Sequence, residues 1–144
     1  MSTRPLVDDA SYHVEMVSSC NWKDGNLTAV LHVAERTPGG PDLYVSGDVT
    51  MTCANTEYVL FAEESVADRK DLMIEDGHVQ AFPNLRNLHV SDNSDLLRRL
   101  KHGEDFGEYV NFEARHFIVR TPYNSFEFIS SAMPALSEMT IASS

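Results

Sequence analysis

Residues 12–35, YHVEMVSSCNWKDGNLTAVLHVAE, decide the fold that this sequence predicts. Two runs of largely alternating residues flank Asp24-Gly25, and this dipeptide between such runs is the strongest short-range signal for a two-residue hairpin. With these two residues as the loop, one face of the hairpin carries mostly apolar pairs: Trp22 with Leu27, Cys20 with Ala29, Ser18 with Leu31 and Met16 with Val33. The opposite face pairs mostly polar residues as far as His13 with Arg36. The turn and the pattern therefore predict the same register.

Two further strands follow the hairpin. Residues 37–41 contain two prolines and two glycines, which disfavour both a helix and a strand ladder. From Leu43 to Cys53 the odd positions are mainly apolar and the even positions polar or Tyr, and this period of two predicts a strand. Glu57 to Ala62 contains four apolar residues in succession and predicts a strand covered on both faces. Residues 11–62 are therefore predicted to form an antiparallel meander of four strands.

The second half, residues 63–144, mixes helix and strand signals. A capping-box pattern precedes Val66 to Glu75, where we expect a short helix. Asp95 to His102 begins with an acid, ends with basic residues and carries leucines on one face, which predicts a second helix. His78 to Val90 and Tyr109 to Arg120 are predicted to be extended.

The C-terminal segment, residues 123–141, is rich in large apolar side chains. Asn124 can cap a helix with an apolar stripe, and a strand from Ser125 to Ser130 is the alternative. One face of a short helix accommodates three or four residues per two turns, so such a helix would leave part of this set uncovered. Either the segment wraps the sheet of its own domain or a second subunit covers it. We expect the second, with these interface candidates: Phe126, Phe128, Ile129, Met133, Leu136, Met139 and Ile141.

Together these elements predict a single α+β domain over residues 1–144. The four-strand meander would extend to an antiparallel sheet of five or six strands. Two or three short helices, including Asp95 to His102, would pack on the apolar face of that sheet.

Charge and composition limit the function. The chain of 144 residues has 22 acidic and 11 basic side chains, a formal charge of -11. This field repels nucleic-acid phosphates and favours a cationic partner. The sequence has no 18-residue apolar run, and Met1 to Ala10 lacks a hydrophobic segment, so we expect no membrane span, no signal peptide and a cytoplasmic location. Cys20 and Cys53 lack metal or redox spacing and are predicted to be buried thiols.

Motifs for chemistry are weak. The sequence has no phosphate-binding glycine loop and no nucleophile-elbow motif. Glu113 and His116 have the E-x-x-H spacing of di-iron proteins, but on a strand that spacing puts the two side chains on opposite faces. In the predicted hairpin register Glu15 lies diagonal to His32, the one carboxylate–imidazole pair that the sequence places together. We therefore predict no catalytic, cofactor-binding or metal site.

These observations favour a non-enzymatic protein-binding or self-assembling module, such as an adaptor, chaperone-like or assembly component. One alternative is an acidic inhibitor that mimics nucleic acid toward a basic partner. Its carboxylates would come from Asp42, Asp48, Glu57, Glu63, Glu64, Asp68, Asp71, Glu75 and Asp76. The other alternative is a small hydrolase or metal enzyme whose His, Asp and Glu side chains are brought together only by the fold.

Overall fold

The computed structural model describes residues 2–6, 11–36, 45–62, 88–92, 94–102, 111 and 113–141. These ranges contain the following elements: β1 (Ser2–Arg4), β2 (Ser11–Lys23), β3 (Asn26–Arg36), β4 (Val45–Cys53), β5 (Thr56–Ala62), β6 (Leu88–Ser91), α1 (Asp95–His102), β7 (Arg115–Arg120), β8 (Ser125–Ser130), β9 (Ala135–Leu136) and β10 (Met139–Ile141). Strands hold 69% of the described residues, whereas α1 is a single helix of eight residues. The predicted α+β class is therefore wrong.

The strands form two antiparallel sheets. The first sheet has the order β1-β10-β4-β3-β2, with β9 paired to β4, and the second has the order β5-β8-β7-β6. Buried residues of both sheets belong to one hydrophobic cluster, so the apolar face of the first sheet is covered mainly by the second sheet and not by helices. The predicted helix from Val66 to Glu75 lies outside the described residues, while the predicted helix from Asp95 to His102 is confirmed.

The predicted hairpin is present, but its register is correct only near the turn. Asp24 and Gly25 both have positive φ, 53° and 79°, as a two-residue hairpin turn requires. The pairing follows the prediction from Trp22 with Leu27 to Ser19 with Val30, after which two bulges in β2 shift it. Each bulge adds one residue to β2 and reverses the face on which the following side chains lie.

These bulges change which residues of β2 enter the core. Val17 now faces Leu31 and Val14 faces Val33, and both residues of β2 are buried. Met16, which was predicted to face Val33, pairs with His32 and is exposed. The sequence pattern could not show this, because it fits the unshifted register equally well.

The four-strand meander is wrong in its last strand. β2, β3 and β4 do form a meander, but β5 pairs with β8 in the second sheet. The chain changes sheet at Asn55, whose φ is 53°, and the next amide, Thr56 N–H, donates to Gly25 O at 2.8 Å. This bond directs the chain toward the end of the first hairpin, so β5 does not fold back on β4.

The predicted C-terminal helix is also wrong, and the alternative strand is correct. β8 pairs with β5 on one side and β7 on the other. Phe126 and Phe128 enter the core between the sheets, where Phe128 stacks on Phe117 with ring centroids 4.9 Å apart. Ile129 lies on the opposite face, in a second cluster with Leu97 of α1. A central strand with two covered faces therefore hides more apolar area than one helix face could.

The side chain of Asn124 joins the two sheets. It lies in the turn between β7 and β8, donates through Nδ2 to Val17 O at 3.0 Å, and accepts from Val17 N–H through Oδ1 at 3.3 Å. Thr121 holds the amide in place, because its Oγ1 donates to Asn124 Oδ1 at 2.7 Å. One amide side chain thus satisfies both backbone groups of Val17 at the position between the two bulges.

We expect Asn124→Ala to lower the free energy of unfolding by about 2–4 kcal/mol, because it leaves the backbone groups of Val17 unsatisfied in a buried position. Urea unfolding followed by circular dichroism measures this change. The control is Asn21→Ala, at an exposed position of β2, the strand that contains Val17. It should change the free energy of unfolding by less than about 0.5 kcal/mol. Equal effects of the two substitutions would contradict the role given to Asn124.

Gly47 allows β10 to lie against β4. A Cβ atom at this position would be 2.4 Å from Thr140 O and 2.8 Å from Met139 Cγ. Gly47→Ala should therefore displace β10, and with it β1, at a cost of about 1–3 kcal/mol. Hydrogen exchange should show faster exchange in residues 139–141, while the neighbouring Ser46→Ala should leave their exchange unchanged. Unchanged exchange of residues 139–141 in the Gly47 variant would contradict the prediction, because it would show that β10 accommodates the added methyl group without moving away from β4.

Candidate functional site

The predicted interface residues lie mainly in the core of this chain. Phe126, Phe128, Ile129 and Met139 are completely buried, and Leu136 and Ile141 are half-buried and pack against the same core. Met133 is the exposed member of the set. The segment thus completes the fold of its own chain, and contact with a second subunit through it stays a prediction.

The paired histidine and carboxylate predicted in the hairpin do not meet as expected. The bulges in β2 place Met16 opposite His32, so Glu15 is not in the predicted diagonal position. His32 lies opposite Asp48 in the pairing of β3 with β4, with Nδ1 and Oδ1 3.1 Å apart. Both members of this pair are well exposed. Within the described ranges no group of three or more His, Cys, Asp and Glu side chains is placed to hold a metal ion.

Glu113 and His116, the two residues of the E-x-x-H spacing, lie in different environments. Glu113 lies in a turn and is exposed, whereas His116 on β7 is buried. Of the carboxylates considered for a nucleic-acid mimic, Asp48 and Glu57 are described and exposed, and the other seven lie outside the described residues.

A polar cluster, consisting of the partly exposed Ser94 and the buried His116 and Glu127, lies between α1 and the second sheet. Ser94 Oγ is 2.8 Å from His116 Nδ1, and His116 Nε2 is 3.3 Å from Glu127 Oε1. Both the imidazole and the carboxylate are at least 96% buried. The distance at Nε2 allows an ion-pair contact, although the ring N–H is not aligned for a hydrogen bond.

Each member of the polar cluster is held by regular structure. His116 and Glu127 lie on adjacent strands in a diagonal position, on the face opposite to Phe117 and Phe128. Ser94 directly precedes α1, where its Oγ accepts from Leu97 N–H at 3.1 Å, as a helix-capping serine does. Sequence reasoning missed this cluster because its members are far apart in the chain. The pairing of β7 with β8 brings His116 to Glu127, and the pairing of β6 with β7 brings His116 to Ser94.

A cavity of about 460 Å³ lies at the start of β7, and its described lining includes none of the three residues of the polar cluster. Its lining includes Asp92, two residues before Ser94, and Arg115, the residue before His116. Arg115 Nε and Asp92 Oδ1 are 3.2 Å apart, and both side chains are largely exposed. The remaining described lining residues are Lys101, Glu113, Ala114, Ser131 and Met133, so the wall carries both signs of charge.

A second buried carboxylate, that of Glu35, lies on β3 and contacts Tyr12 and Arg4. Glu35 Oε1 accepts from the Tyr12 hydroxyl at 3.2 Å, and its Oε2 lies 2.8 Å from Arg4 Nε. Because Arg4 belongs to β1 and Glu35 to β3, this group attaches the N-terminal strand to the sheet. Its partners account for the burial of the carboxylate.

Four exposed apolar side chains come from β2, β5 and the turn before β8, which lie along one side of the described structure, and we call them the edge row: Met16, Trp22, Phe61 and Tyr123. Their exposed fractions are 39%, 45%, 38% and 67%, respectively. On this side β2, an edge of the first sheet, lies beside β5, an edge of the second. Trp22 spans the two edges, since its Nε1 donates to Thr56 O at 3.0 Å.

The turn that carries Asn124 fixes the other end of the edge row. Tyr123 precedes Asn124, and the Asn124 side chain binds Val17, the neighbour of Met16. Phe61 lies next to the buried Phe126 across the β5–β8 pair, with ring centroids 6.4 Å apart. From Val17 to Trp22 a strand spans about 17 Å, so the edge row extends over a length suited to a peptide or a protein surface.

The charge beside the edge row is mainly negative. β2, its turn and β5 carry the carboxylates of Glu15, Asp24 and Glu57 and the single ammonium group of Lys23. This local excess has the same sign as the formal charge of the whole chain.

Comparison with known protein families, curated proteins and solved structures found no match to this chain. Among the described residues no helix is long and apolar enough to cross a membrane.

The two cysteines are free thiols in different surroundings. Cys53 is buried, and its thiol donates to Ala54 O and Ala132 O, both at 3.6 Å. Cys20 is partly buried, and this burial raises the pKa of its thiol. A higher pKa leaves less thiolate at a given pH.

We therefore expect Cys20 to react with a disulfide reagent such as Ellman's reagent more slowly than N-acetylcysteine at pH 8, because the thiolate is the reacting species. The reaction rate of Cys20 should rise with pH at higher pH values than the rate of N-acetylcysteine does, because the pKa of the Cys20 thiol is raised. Cys20→Ser should remove this kinetic phase and assign it. A phase with the same pH dependence as N-acetylcysteine would contradict the expected effect of burial.

Proposed function

We propose that this chain is a protein-binding module that binds a basic protein surface through the edge row. The single observation that supports this most strongly is the exposure of four large apolar side chains on two neighbouring edge strands and the turn beside them. Trp, Tyr and Met are enriched in the centres of protein interfaces, where they contribute much of the binding free energy.

In this proposal the partner contacts the side chains of the edge row. It does not add a strand to the backbone of β2. Bulges interrupt β2 twice, and the Asn124 amide occupies both backbone groups of Val17. Such features prevent another strand from adding to a sheet edge. The partner therefore presents a folded surface or a helix with an apolar centre.

The carboxylates beside the edge row favour a partner with lysine or arginine around that apolar centre. The formal charge of -11 also opposes close association of two copies of this chain at low salt. Both thiols are free, which supports the predicted cytoplasmic location as part of this proposal.

Trp22 is the only tryptophan of the chain, so its fluorescence reports directly on the edge row. We expect an amphipathic peptide of leucine and lysine to shift the Trp22 emission to shorter wavelength in a saturable manner. A peptide with glutamate in place of lysine should not, and 0.5 M NaCl should weaken the lysine complex because the charges are exposed. Equal responses to both peptides would contradict the proposed partner class.

Tyr123→Ala tests whether the edge row makes the contact. We expect about a tenfold higher Kd for the lysine peptide, since loss of an interface aromatic residue costs more than about 1 kcal/mol. Met133→Ala removes an exposed apolar side chain outside the edge row and should leave the Kd unchanged. An unchanged Kd in the Tyr123 variant would overturn the proposal. A shift of Trp22 emission with protein concentration alone would instead indicate self-association.

A further inference from the structure

Ser94 stands where a strand leads through a short turn into a helix. β6 ends at Ser91, Ser94 follows three residues later, and α1 begins at Asp95. This placement presents a side-chain oxygen beside the first backbone N–H groups of a helix. The same arrangement serves reactive serines in strand–turn–helix elbows, although this sequence lacks the glycine pattern of that motif.

The hydrogen bonds of Ser94 determine toward which atom its hydroxyl hydrogen points. Its Oγ accepts from Leu97 N–H at 3.1 Å, so the hydroxyl hydrogen is available to His116 Nδ1 at 2.8 Å. A neutral imidazole that accepts at Nδ1 carries its own hydrogen at Nε2. Glu127 Oε1 lies 3.3 Å from Nε2, within ion-pair distance, although the ring N–H is not aligned for a hydrogen bond. The polar cluster therefore has the order hydroxyl, imidazole, carboxylate.

Helix capping explains only part of this arrangement. A capping serine needs an acceptor for Leu97 N–H, and Ser94 provides it without any histidine. The cap does not account for a buried imidazole at the hydroxyl or for a buried carboxylate at the second ring nitrogen. Two ionisable side chains on a face shared with Ile118 and Ile129 are costly to bury unless they are paired.

The helix supplies a site for negative charge next to Ser94. The first N–H groups of an α-helix have no intrahelical acceptor, and the helix dipole favours an anion there. Leu97 N–H and Arg98 N–H already bind Ser94 Oγ and Ser94 O. By helix geometry the N–H groups of Asp95 and Leu96 also have no intrahelical acceptor, and we expect them to bind the oxyanion that forms on the ester carbonyl oxygen when Ser94 attacks.

We infer that Ser94 is a nucleophile toward small carboxylic esters, with His116 as general base and Glu127 as the carboxylate that stabilises positive charge on the imidazole. This activity is separate from the proposed binding function and rests on different residues. Ser94 is partly exposed, as attack on an external ester requires.

The reaction balances without a cofactor. Ser94 Oγ forms a bond to the ester carbonyl carbon while its proton passes to His116 Nδ1. The bond from that carbon to the alkoxy oxygen then breaks, and the alcohol leaves with the proton from His116. Water attacks the acyl group in the second half, releases the carboxylic acid and restores the Ser94 hydroxyl.

A fluorophosphonate probe and p-nitrophenyl acetate test this inference on the full chain. We expect the probe to add once per chain, and peptide mass mapping should locate the adduct at Ser94. Ser94→Asn retains a capping oxygen and a donor toward His116 but has no nucleophile, so it should remain folded and lose labelling. His116→Gln should slow labelling about 100-fold, the usual contribution of a general base.

Two matched controls separate this activity from surface reactivity. Ser18→Ala and His32→Gln change an exposed serine and an exposed histidine, and both variants should label as fast as the unmodified chain. An adduct at another residue, or equal ester turnover by the Ser94→Asn variant, would overturn the inference. If a variant at Ser94 or His116 unfolds, the position of the adduct in the unmodified chain decides the question alone.

Discussion

The contact of the Asn124 amide with the backbone of Val17 is the constraint on which the arrangement of the two sheets depends. Val17 lies between the two bulges of β2, where the regular ladder with β3 is interrupted. A bulge leaves backbone groups that need other partners, because buried N–H and C=O groups are costly without them. The turn of the second sheet supplies both partners with one side chain.

This contact also explains the composition of the core. With the two bulges in place, Val14 and Val17 both enter the interior although their spacing does not fit a regular strand. The edge row arises from the same contact, since Met16 and Tyr123 are the chain neighbours of the two residues that form it. The fold and the proposed binding surface thus share one structural cause.

The sequence predicted those parts of the fold that local rules determine. The Asp24-Gly25 turn, the alternation from Val45 to Cys53 and the charge order of α1 each depend on neighbours in the chain, and all three are confirmed. The bulges and the change of sheet at Asn55 depend on Asn124 and Gly25, which lie far away in sequence. No local pattern reports such contacts, so the predicted register and the last strand of the meander were wrong.

The same limit applies to the candidate sites. The apolar tail was recognised as unusual, but a strand with two covered faces cannot be distinguished from a helix by composition alone. His116 was noted only for its spacing from Glu113, whereas its actual neighbours come from β8 and from the residue before α1. The exposure of Trp22 could not be predicted either, because its partner Leu27 is buried and the pattern assigns both to one face.

The topology separates the two candidate sites. The edge row lies at β2 and β5, and β5 is one edge strand of the second sheet, whereas β6 is the other. Ser94 follows β6, and the rest of the polar cluster lies on the face of β7 and β8 that packs toward α1. The core between the sheets contacts the opposite face of these strands. A substitution in one site therefore has no shared partner with the other, and their effects on stability should add independently.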